Sequence, residues 1–120
     1  MELIGQKFVG VGDVIRTKKF SSKDLHKLLM QVSFESDQGK FVTIDCEIHS
    51  LVYPKSGKPR FNDIYFNLVE SGELHEGLCV KVEGFFRTRS YIEQRFKNQD
   101  GKPFKVEYPV LVVEKLVVLD

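Results

Sequence analysis

GLCVKVEGFFRTRSYIEQRFKNQDGKPFKVEY, residues 77–108, reads as one strand, a long arm and a returning strand. Val80, Val82, Gly84, Phe86 and Thr88 alternate with Lys81, Glu83, Phe85, Arg87 and Arg89, the period-two pattern of a half-buried strand. With Val80 and Val82 facing a core, the other face carries Phe85, Arg87, Arg89 and Tyr91, aromatic and cationic together. The arm adds Arg95, Phe96, Lys97, Lys102, Phe104 and Lys105 around Asn98-Gln99-Asp100-Gly101, a turn that closes a hairpin. Cations that track phosphates, interleaved with rings that stack on bases, are what sequence-tolerant binding of single-stranded nucleic acid requires. The same alternation also suits a solvated strand face, or a subunit interface that buries the rings.

Working outward, Val106 to Leu119 forms the last strand, and Pro109 argues for an edge position or a bulge at its start. Upstream, a helix is expected over about Asp63 to Ser71. Asn62 or Asp63 caps it, Ile64, Tyr65, Leu68 and Val69 give the apolar stripe, and Gly72 suits its exit. Tyr53 to Arg60 is turn-rich and cannot continue a central strand. Phe41 to His49 has the cleanest alternation, Val42, Ile44, Cys46 and Ile48 against Phe41, Thr43, Asp45, Glu47 and His49. Through the Ser36–Gly39 turn it pairs as an antiparallel hairpin with Leu28 to Glu35, whose Met30, Val32 and Phe34 share a face. Thr17 to Lys27 is polar and basic and reads as a loop, with room for a helical turn from Ser22 or Lys23. Phe8 to Arg16 is a first strand, and Gly10 and Gly12 mark a bulge or bend in it.

The order is strand, strand, strand, helix, strand, strand. An all-β, five-stranded Greek-key barrel with a helix between strands three and four is the OB-fold, whose strand-two and strand-three face and flanking loops commonly bind oligonucleotides or oligosaccharides. The 120 residues fit one domain, 1–120, with one ordinary core. No apolar run is long enough to cross a bilayer, and the N-terminus lacks a secretory pattern, so a cytoplasmic protein is expected. The net charge of +1 excludes the argument from overall basicity. The charge is instead unevenly distributed, with basic clusters at Arg16, Lys18, Lys19 and Lys23, at Lys55, Lys58 and Arg60, and in the arm. Cys46 and Cys79 do not make a disulfide framework and read as small apolar side chains.

A more specific likeness lies in Glu70 to Gly84, followed by Phe85-Phe86-Arg87-Thr88-Arg89. A helix ends, a short glycine turn follows, and a strand reads V-x-V-x-G with R-T-R shortly after. This resembles the bacterial single-stranded-DNA-binding proteins, and the outline extends to primosomal replication protein N and to phage or mobile-element relatives. The resemblance implies single-stranded DNA held across the barrel face by stacking aromatics and by the basic loop between strands four and five. Arg87 and Arg89 match the R-T-R pair, Tyr91 falls where a tryptophan is usual, and Phe41 falls where a third-strand stacking ring is expected. The chain departs from the family in having no tryptophan, in a longer loop from Tyr91 to Phe104, and in stopping inside a strand pattern without an acidic tail. The last departure implies a specialised or tail-less relative, or a truncated chain.

Other chemistries find little support. Cys46 and His49 are three apart, which sends them to opposite faces of a strand, and no second ligand pair completes a zinc site. No nucleophile elbow or phosphate-binding loop occurs, and Gly10-Val11-Gly12 lacks the third glycine of a dinucleotide site. Asp45 and Glu47 on one strand face would suit a metal-dependent nuclease, although a solvated face is the commoner explanation. The expectation is a binder without enzymatic activity, metal or cofactor. Arg87, Arg89, Arg95, Lys97, Lys102 and Lys105 would neutralise phosphates, and Phe41, Phe85, Tyr91 and Phe96 would stack on bases. Phe104 could equally plug the barrel. The expected partners are single-stranded DNA, further copies of the chain in a dimer or tetramer, and replication or recombination proteins. An OB adaptor that binds another protein, or an RNA-binding OB domain, is the alternative.

Overall fold

Pleated alternation builds the structure from its longest elements. Strands β1 (Lys7–Ser21), β2 (His26–Glu35) and β3 (Phe41–His49) precede a short pair, β4 (Leu51–Val52) and β5 (Arg60–Phe61). A helix at Tyr65–Val69 and the strands β6 (Cys79–Lys97) and β7 (Pro103–Leu119) follow. The computed structural model describes residues 5–21, 26–52, 57–97 and 99–119, with backbone only over 94–97. The strands close a barrel in the order β1-β2-β3-β7-β6, with β6 returning to pair with β1. All neighbours are antiparallel except β3 and β7, which meet in parallel at Cys46–Leu111 and Glu47–Val112. This is the OB-fold.

The inward phase of each strand fills the barrel. Met30, Val32, Cys46, Ile48, Val80, Val82 and Leu111 are all at most 1% exposed. Tyr65 and Val69 of the helix join the same cluster. The expected helix from Asp63 to Ser71 is helical over residues 63–69, and Asn62 Oδ1 caps it by accepting from the Ile64 N–H at 3.1 Å. Its body is one π turn, in which the Glu70 N–H donates to the Tyr65 carbonyl at 3.0 Å. The chain then leaves through Gly72 at φ 78°.

Cys46 is fully buried, and burial, with the charge of Asp45, pushes its thiol up to about 12. It is an inert packing group, as its place in the alternation implied. Gly84, the glycine of the V-x-V-x-G pattern, has a steric reason: a Cβ there would overlap the Val112 carbonyl oxygen. It sits where the β6–β7 register shifts, leaving Glu114 as the extra residue.

Three expectations change. The two ends of the expected Thr17–Lys27 loop are strand: Thr17–Ser21 pairs with His26–Met30, extending β1 and β2 into an arm. The expected helical turn at Ser22 or Lys23 lies outside the described residues. Gly10 and Gly12 do not mark the bulge, which falls between Val14 and Arg16. Side chains on these glycines would instead strike the Phe8 and Phe34 rings and the Ser33 carbonyl. Phe104 is 44% exposed and paired with Glu93 in the β6–β7 arm, so it does not plug the barrel. Pro109 lies in that arm before β7 meets β3 at Leu111, where one side of β7 has no paired strand.

Both arms extend the molecule. The radius of gyration is 16.0 Å, against roughly 13–14 Å for a compact chain of this length. Among the described residues, no helix is long and apolar enough to cross a membrane.

Candidate nucleic-acid interface

Register fixes what lies together on the outer face of β1, β2 and β3. Arg16 pairs with Gln31 and Gln31 with Asp45; one row on, Lys18 pairs with Leu29 and Leu29 with Glu47. Met30 and Cys46, between these rows, point into the core. A concavity of about 230 Å³ opens over the two rows, and Tyr108 and Val110 of β7 bound its far side. The β1–β2 and β6–β7 arms therefore flank the strand-two and strand-three face, the surface on which OB-folds take oligonucleotides.

Glu47 anchors the floor of this face. It is 1% exposed, and Arg89 meets it with two hydrogen bonds, Nε to Oε2 at 3.0 Å and Nη2 to Oε1 at 2.6 Å. His49 Nε2 lies 2.8 Å from Oε1 and Lys27 Nζ 3.9 Å from Oε2. Burial pushes the Glu47 carboxyl up. The hydrogen bonds from His49 and Arg89, with the charges of Arg89 and Lys27, outweigh it and hold the group down at about 2. The hydrogen bond to Glu47 in turn raises the Arg89 guanidinium above its ordinary value. Glu47 is thus neither a solvated surface acid nor a free metal ligand; it ties the β6–β7 arm to β3.

The expected site residues fall into separate groups. Phe85, Arg87, Arg89 and Tyr91 do share the outer phase of β6, facing Val112, Val110, Tyr108 and Val106 across the ladder. Arg87 is exposed, whereas the Arg89 guanidinium is turned onto Glu47. Tyr91 is 49% exposed and meets Tyr108 edge-on, with ring centroids 6.1 Å apart. Phe85 sits back on the barrel, half-buried, with Lys7 Nζ 5.8 Å from its ring centroid. Phe41 is 69% exposed in the same phase as Asp45, roughly 13 Å back along β3. Lys105 pairs opposite Ile92, one residue out of phase with Tyr91, and its ammonium lies 3.4 Å from Glu107. Lys102 is exposed just before β7. The side chains of Arg95, Phe96 and Lys97 lie outside the described residues.

Sequence reading missed the β1–β2 arm as part of this surface. Arg16 and Lys18 belong to the concavity, and Lys18 Nζ stands 4.9 Å from the Phe20 ring centroid. Their signal was the basic cluster already visible at residues 16–19. Tyr108 was missed too, although its place in the returning strand gives it the Arg89 phase. Cys46 and His49 take opposite faces, one in the core and the other on Glu47.

No protein-family model matches the chain, and neither does any curated protein. Solved structures do. The chain is similar to the mitochondrial single-stranded DNA binding protein Rim1 of S. cerevisiae at 17% identity and a TM-score of 0.56, covering 96% of this chain and 95% of that one. A selenomethionine-labelled structure of the same protein gives 18% identity and a TM-score of 0.59 over the same shares. The dimeric N-terminal domain of PriB protein from Thermoanaerobacter tencongensis is similar at 15% identity and a TM-score of 0.57, over 95% of this chain and 96% of that one. At these identities the likeness shows the fold, over nearly the whole chain.

Proposed function

We propose that this chain binds single-stranded DNA, tolerating most sequences, on the outer face between its two hairpin arms. The observation that carries the reading is the pairing of exposed cations with exposed rings around one concavity. Arg16 and Lys18 stand on the β1 side, and Arg87, Tyr91 and Tyr108 on the β6–β7 side. Phosphates follow the cations and bases stack on the rings, a division of labour that needs no base-specific contacts. The similarity to Rim1 and PriB protein supports the same reading. Its setting would be replication, repair, recombination or element transfer in the cytoplasm, without enzymatic activity. Second copies of the chain are proposed partners, because Val9, Val11 and Val117 stand 54%, 50% and 55% exposed on the outer face of β1, β6 and β7.

Titrating fluorescein-labelled dT and rU oligomers at two salt concentrations tests the proposal. The expected result is saturable binding to dT that weakens with salt, with a log–log slope of about −0.7 per phosphate neutralised. Binding to neither polymer overturns it. Tighter binding to rU moves the function to RNA.

A further inference from the structure

The concavity contains an acid that phosphate binding does not explain. Both oxygens of Glu47 are taken up by Arg89 and His49. Asp45, one row away and half-buried, accepts from Gln31 alone among the described residues, Nε2 to Oδ1 at 3.1 Å. Its Oδ2 has no protein partner among the described residues. A carboxylate repels phosphate oxygens and is satisfied only by hydrogen-bond donors. The bases of a single strand bring such donors on their Watson–Crick edges.

The four bases differ in what they could offer. Guanine presents N1–H and the 2-amino N–H side by side, matching the two oxygens of one carboxylate. Cytosine and adenine each present one amino group beside an acceptor nitrogen. Thymine presents a single N–H between two carbonyls, which a carboxylate repels. The space of about 230 Å³ lies below the roughly 300–1,000 Å³ of drug-sized pockets and suits one ring system. Leu29, Val110 and Tyr108 supply its apolar and aromatic walls, while Arg16 and Lys18 on its β1 side bring positive charge that would offset the acid and meet flanking phosphates.

We infer that this concavity is a guanine subsite, in which one base of the bound strand turns its Watson–Crick edge onto Asp45. The inference rests on the single-strand reading above and adds one discriminating position to an otherwise tolerant track.

The test compares thymidine oligomers of about 16 nucleotides, the upper site size of one OB fold, in which one central dT is replaced by dG, deoxyinosine, dC or dA. The dG oligomer should bind at least about fivefold tighter than all-dT, the lower end for one bidentate base contact. Deoxyinosine lacks the 2-amino group and should lose most of that advantage; binding as tight as dG overturns the bidentate contact. Because this arm uses the unaltered protein, it stands even where a variant fails to fold. Asp45→Asn should bring the dG-to-dT ratio to within about twofold, and a ratio that survives the change overturns the assignment. Equal binding of all oligomers by the unaltered protein overturns the guanine subsite alone. Binding to none of them overturns the single-strand reading as well.

Discussion

At Glu47 a buried carboxylate stays ionised because donors reach it from its own strand, from β2 and from the β6–β7 arm. Its folded pKa of about 2 lies below the ordinary value of 4.5, so the ionised form favours the fold. That contribution is complete above the ordinary value and is lost as pH falls through about 2. It amounts to about 3 kcal/mol, at 1.36 kcal/mol per unit. Denaturant melts between neutral pH and pH 2 should show this loss, and Glu47→Gln should flatten it; an unchanged acid profile would falsify the assignment. The same contact separates two arginines that look equivalent in the R-T-R pattern. Arg87→Ala should reduce the salt slope of DNA binding by about 0.7 and change stability by less than about 0.5 kcal/mol. Arg89→Ala strands a buried acid and should cost roughly 3 kcal/mol of stability. Urea unfolding of both variants, beside binding at two salt concentrations, checks the split.

Among the elements, the β6–β7 arm sets the aromatic platform. Tyr91 and Tyr108 sit diagonally across the ladder, two residues apart in register and on the same face, and this brings their rings together. Tyr91→Ala should cost about 1–3 kcal/mol of single-strand affinity, the value of one base–aromatic stack. Tyr91→Phe should cost little, because the ring face is the proposed contact. Neither change removes a charge, so the salt slope should hold in both. Normal binding by Tyr91→Ala, together with a changed elution volume on a sizing column, would make the ring an interface anchor and favour the adaptor reading.

For the whole molecule, barrel closure separates two outer surfaces. The concavity lies over β1, β2 and β3, while Val11, Lys81 and Val117 form a row across β1, β6 and β7. Exposed valines on the second surface mark the proposed subunit contact, which would leave the first open. Light scattering should therefore show an oligomer, and Val11→Glu with Val117→Glu should reduce it to a monomer that still binds a dT oligomer. A monomer in the unaltered protein removes the proposed contact.

The sequence by itself determined the elements whose two faces differ. β3 was legible in its bounds, Phe41 to His49, because apolar and polar residues alternate along it, although Val42 is half exposed and Glu47 is buried. The helix stripe of Ile64, Tyr65, Leu68 and Val69 was legible for the same reason. The strand over Thr17–Ser21 was not, because it extends beyond the barrel and neither face meets the core, so its one apolar residue, Phe20, leaves no alternation to read. Only the tertiary structure decided that Glu47 is buried, since its partner Arg89 lies 42 residues away. It alone placed Lys105 out of phase with Tyr91, and Arg16 and Lys18 beside Tyr108. Periodicity assigns a side chain to a face of its own strand. Which residues on neighbouring strands share that face depends on register and barrel closure, and these are set by contacts between distant parts of the chain.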